Sequence, residues 1–72
     1  MKFNYLQLKI RMTEKEVSID MLASRIDMKY HTLFAKMKNE SQFKQSEIMR
    51  ICIALGIPLR DAGKYFLVPD DI

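Results

Sequence analysis

Lys29, Tyr30, His31, Phe34, Ala35 and Lys38 share one short stretch and carry the side chains best suited to recognising another molecule. Lysine can read guanine or grip phosphate, histidine can donate to either, and Phe34 and Ala35 can touch a thymine methyl. A base-reading surface usually presents Arg, Asn, Gln or Lys. This stretch holds no Arg and no Gln, and its first Asn follows at position 39. Tyr and Phe are enriched at the centres of protein interfaces, where Lys is depleted. Two kinds of partner therefore stay open, a protein and a nucleic acid. Gln42, Lys44 and Gln45 follow as candidate phosphate or rim contacts, because a helix starting there would offer free amides and a positive dipole end to an anion.

Catalysis finds no support. It needs a nucleophile with a base, a carboxylate pair in a pocket, or a metal. The chain has one His, one Cys and scattered carboxylates, and its only glycines are Gly56 and Gly63, so no glycine-rich phosphate loop exists. One Cys and one His cannot build a zinc site or an internal disulfide. We therefore expect no metal, no cofactor and no small-molecule substrate. Cys52 falls in an apolar stripe and reads as core. The cysteine usage suits a reducing cytoplasm. No apolar run approaches the ~20 residues needed to span a membrane. Asn4, Gln7, Lys9 and Arg11 interrupt the start of the chain, which does not read as a signal peptide.

The elements that must position the recognition stretch are helical. Ile19, Leu22, Ala23 and Ile26 fall on one helical face, and Tyr30, Leu33, Phe34 and Met37 repeat the spacing after a break at Asp27-Met28. Two helices this short must pack on each other and on flanking helices, as in a helix-turn-helix motif, which presents its second helix outward. Five helices and no strands are expected. The first runs from about Asn4 to Glu14, with Asn4 as cap answered by Gln7, and with Tyr5, Leu8 and Met12 in one stripe and Leu6 and Ile10 in another. The second runs from Ser18 or Ile19 to about Arg25, with Ser18 as cap. The third runs from about Lys29 to Lys38. After a polar loop over Asn39 to Gln42, the fourth runs from about Lys44 to Leu55. Its core stripe is Ile48, Ile51, Cys52 and Leu55, broadened by Met49 and Ile53, and Gly56 and Pro58 stop it. A short fifth covers Leu59 to about Tyr65, and residues 67–72 form a tail. The 72 residues suffice for one domain spanning 1–72.

On a helical wheel at ~100° per residue, Leu33 and Met37 define the core centre of the third helix. Tyr30 lies about 40° from it and should pack with its hydroxyl at the rim. Phe34 lies about 80° away, enough for half burial. Lys36 and Lys38 read as solvated. The net charge of +3 permits nucleic-acid binding without demanding it. Lys29, His31, Lys36, Lys38 and Lys44 gather in the middle, opposed by Asp27 and Glu40, and Asp70 and Asp71 close the chain.

The helix order with its motif at helices two and three resembles the small Cro and repressor-type regulators of temperate phages. The stretches FNYLQLKIRM, KQSEIMRICIALGIPL and KYFLVPDDI extend the likeness over nearly the whole chain. Length and pattern are most similar to the modulator-of-repression type, anti-repressors that bind a repressor rather than, or as well as, its operator. Two positions depart from the pattern. Asp27 stands where the turn usually carries Gly for its left-handed backbone, which Asp tolerates better than most residues. Lys29 stands where Ser commonly caps the third helix; were Asp27 to cap instead, that helix would start elsewhere.

The resemblance implies an all-α regulator of the lysis–lysogeny switch in a bacterial cytoplasm. The leading expectation is an anti-repressor whose motif face docks on the cognate phage repressor. The alternative is a Cro-like homodimer binding operator DNA through its third helix, with Met49, Ile53 or the tail as dimer contact. A scaffold bundle without a switch role is the remaining reading.

Overall fold

Each of the first four helices stops on a residue with positive φ. The computed structural model describes residues 2–70 and orders them as α1 (Leu6–Glu14), α2 (Ile19–Arg25), α3 (Tyr30–Met37), α4 (Gln45–Leu55), a 3-10 turn (Leu59–Asp61) and α5 (Ala62–Phe66). The stops are Glu16, Asp27, Asn39 and Gly56, with φ of 55°, 56°, 65° and 66°. The next amide in each case donates five residues back: Val17 to Met12 O at 2.8 Å, Met28 to Ala23 O at 2.9 Å, Glu40 to Ala35 O at 2.9 Å and Ile57 to Cys52 O at 2.8 Å. This closure satisfies carbonyls that a helix end leaves free. It also turns Val17 and Ile57 into the core, with Met28 half-buried. Asp27 takes the left-handed conformation expected of it.

The helix starts are less uniform. Ser18 Oγ accepts from the Met21 amide at 3.2 Å, as a capping serine should. Asn4 Oδ1 accepts from the Leu6 amide at 2.8 Å, but α1 begins at Leu6, two residues later than expected. Lys29 precedes α3 with no side-chain cap. The competing possibility, that Asp27 caps and shifts the start, is not what happens: α3 begins at Tyr30, directly after Lys29.

Leu8, Leu22, Leu33, Ile51, Cys52 and Leu55 are fully enclosed and join α1 to α4 in one core. Tyr5, Phe43 and Phe66 extend it as an edge-to-face cluster, with ring centroids 5.3–6.4 Å apart. Burial pushes the Cys52 thiol and the Tyr5 phenol above their ordinary ranges. The second apolar stripe of α1 and the broadened stripe of α4 do not join the core: Leu6, Ile10, Met49 and Ile53 are exposed. The apolar arc seen in sequence is wider than the surface its neighbours cover.

Residues 67–70 are docked rather than a tail. Asn4 N–H donates to Val68 O at 2.7 Å and Asp70 N–H to Lys2 O at 2.9 Å, making an isolated antiparallel bridge between Phe3 and Pro69. Pro69 has no amide to offer, and its neighbours supply the bonds. Asn39 reinforces this end: its Nδ2 donates to Phe3 O at 2.9 Å and its Oδ1 accepts from Phe3 N–H at 2.8 Å. Asp71 lies outside the described residues. The fifth helical segment is a 3-10 turn followed by α5, which runs on to Phe66.

Candidate recognition surface

The outward face of α3 is set by which of its flanks is covered. Leu33 and Met37 point into the core. Lys36 and Phe34 lie about 80° to either side of that line. The Lys36 flank is covered by α4, and Lys36 is only 6% exposed. Its Nζ donates to Glu47 Oε1 at 2.6 Å and to Gln42 O at 3.1 Å. The expectation of a solvated lysine is overturned: a charged group on this flank finds a carboxylate and a carbonyl in place of water. Burial alone would push the Glu47 carboxyl up. The Lys36 hydrogen bond, the Lys44 amide and the charges of both lysines outweigh that and hold it below its usual range.

The Phe34 flank is open. Phe34 is 39% exposed and Tyr30 41%. Their rings stack one turn apart, with centroids at 5.7 Å and planes 13° apart. Tyr30 was expected to pack more deeply. It is the first residue of α3, where no preceding turn shelters it. The His31 ring stands edge-on to Tyr30 at 5.7 Å, and Lys38 Nζ lies 5.1 Å from the Phe34 centroid, within cation–π range.

Lys29, His31 and Lys38 are exposed, whereas Ala35, expected on the open face, is half-buried. Thr32 is also exposed, and its place about 100° from Leu33 on the helical wheel is the sequence signal for that. Lys38 makes a surface pair with Glu40 at 3.4 Å. Gln42, Lys44 and Gln45 are exposed at the mouth of α4. That mouth, expected to favour an anion, already holds one: Glu47 Oε1 accepts from the Lys44 amide at 2.8 Å.

Two arginines brace the scaffold, one of them holding the motif from behind. Arg50 Nη1 donates to Ile26 O at 3.3 Å, fixing the end of α2 on α4. Arg11 Nε donates to Leu55 O at 3.0 Å and its Nη2 to Gly56 O at 2.9 Å, closing the end of α4 from α1. Among the described residues no group of metal-ligating side chains forms, and no helix is long and apolar enough to cross a membrane.

Two short helices packed through a tight turn, the second standing proud on a bundle of three more, define an all-α helix-turn-helix recognition domain. The model of the Cro/C1-type helix-turn-helix DNA-binding domain family matches residues 7–66, and the chain belongs to that family. This is a family of DNA-binding transcriptional regulators rather than of enzymes. No curated protein matches the chain.

Proposed function

We propose that the chain acts as an anti-repressor, docking the outer side of α3 on a partner repressor of the same type and changing that repressor's hold on its operator. The phage lysis–lysogeny switch is the setting the sequence resemblance implies. The observation that carries the reading is the stacked, half-exposed Tyr30–Phe34 pair. Bases are read chiefly by hydrogen-bonding groups, and this exposed pair offers two aromatic rings instead. An exposed aromatic pair loses little conformational freedom on binding and buries a large apolar area, which is the make-up of an interface hot spot. Lys29 and Lys38 flank it and suit an acidic complement, which would favour encounter and register more than affinity.

The test is direct binding to the purified repressor of the same genome, with and without operator DNA. Phe34→Ala is expected to weaken the complex by about 2 kcal/mol or more, the range of a hot-spot truncation. An unchanged dissociation constant refutes the reading.

Operator binding by a dimer is the second reading. Family membership favours it, as do Lys29, His31 and Lys44 exposed at the starts of α3 and α4. Affinity would then fall steeply with salt, because phosphate contacts release counterions, and Lys29→Ala and Lys44→Ala would flatten that slope. Absence of any operator shift at micromolar protein removes this reading.

A further inference from the structure

Residues of α1, the α1–α2 connection and the C-terminal half of α3 line an open groove of about 260 Å³ beside Phe34. Met12, Val17 and Met37 form its apolar base, and Phe34 is one wall. Lys9 and Lys38 stand on its rim, and no carboxylate lines it. An apolar cavity of about 150 Å³ already holds a benzene ring. This groove has room for one large aliphatic or aromatic side chain.

We infer that the groove is an anchor site: it takes one large apolar side chain of the partner repressor, with a carboxylate of the same partner surface meeting Lys9 and Lys38. The inference rests on the anti-repressor reading and deepens it. Phe34 belongs both to the groove and to the stacked pair, so a single docked surface covers both. The rim cations select the partner's charge. Lys38 has Glu40 as its ion-pair partner, at 3.4 Å with both side chains more than half exposed, a contact worth too little to compete with a docked acidic surface. Duplex DNA is a poor occupant, since the apolar group it offers in the major groove is the thymine methyl, far smaller than the space.

The experiment uses the full chain with 13C-labelled methionine methyls and the purified repressor of the same genome. On titration the Met12 and Met37 methyl signals are expected to shift, while that of Met49, exposed on α4, stays in place. Thr13→Trp, placed at the groove mouth on an exposed position, should weaken binding at least tenfold. Lys9→Glu, which cannot disturb the core, should weaken it several-fold. A complex that forms with Met12 and Met37 unmoved, or with Lys9→Glu or folded Thr13→Trp at native affinity, overturns the anchor site. If Phe34→Ala still abolishes that complex, the anti-repressor reading survives without it. A wild-type chain that does not bind the repressor at all brings down both.

Discussion

Lys36 Nζ meets Glu47 Oε1 at 2.6 Å, and this contact ties the outer helix of the motif to the helix behind it. It fixes how far α3 stands out and keeps its other flank, the one bearing Phe34, facing away from α4. The pair lies under the polar loop that joins the two helices, and Lys36 also takes that loop's Gln42 carbonyl. Removing one partner leaves the other charge poorly solvated. Lys36→Met is expected to lower unfolding stability by about 2–3 kcal/mol, the usual cost of losing a charged, buried hydrogen bond. Chemical denaturation measures it, and a loss below about 0.5 kcal/mol, typical of a surface substitution, would contradict the buried pair.

Acid should act on the same pair. The Glu47 carboxyl titrates lower in the folded chain than its ordinary 4.5. A carboxyl depressed by folding contributes stability that is fully present above its unfolded value and lost as pH falls through its folded value. Thermal melts of the native chain should therefore lose stability as pH drops below about 4.5, and Glu47→Gln should show a shallower loss over the same window. Parallel curves for the two proteins would exclude Glu47 as a contributor.

Neighbouring positions on α3 should separate stability from binding. Leu33 is fully enclosed, and Leu33→Ala is expected to cost about 2–5 kcal/mol of stability. Phe34→Ala removes a half-exposed ring and should cost about 1 kcal/mol. Denaturation midpoints of the two variants, set beside their affinities for the repressor, check this. A Phe34→Ala protein as unstable as Leu33→Ala would make the ring a core residue and end its role as an outward contact.

Asp27 holds a left-handed backbone that glycine adopts without strain. Asp27→Gly is expected to stabilise the fold by about 0.5–1 kcal/mol, a little less than the full left-handed penalty of an L-residue. The rise in melting temperature is the readout. A fall would mean that the Asp27 side chain does more than tolerate the turn.

Arg11→Ala should cost about 1–2 kcal/mol by freeing the Leu55 and Gly56 carbonyls that its guanidinium now caps. Hydrogen exchange should localise the loss to the last turn of α4.

The helices were readable because their periodicity and punctuation agree. Ser18 caps, Gly56 stops and Pro58 blocks, and the bounds of α2 and α4 follow within a residue. The inward residues of α3 were readable for the same reason, since Leu33 and Met37 share the face that is buried and Phe34 lies off it. What periodicity could not supply was which flank a neighbour would cover. Lys36 and Phe34 are equivalent on the wheel, and hydropathy ranks them the wrong way round; only the approach of Glu47 on α4 decides that the lysine goes in and the phenylalanine stays out. The bridge between Phe3 and Pro69 was invisible for a related reason. It rests on backbone amides and on Asn39, which holds Phe3 from 36 positions away.

The helix stops at Glu16, Asp27, Asn39 and Gly56 carry a kinetic corollary. The end of each of the first four helices closes through a backbone bond that spans five residues. The chain can make those corners before it has found any remote neighbour, so little entropy is spent searching. Helical bundles rich in local contacts fold in roughly microseconds to milliseconds, and the bridge between Phe3 and Pro69 closes a far longer loop, at a correspondingly greater entropic cost.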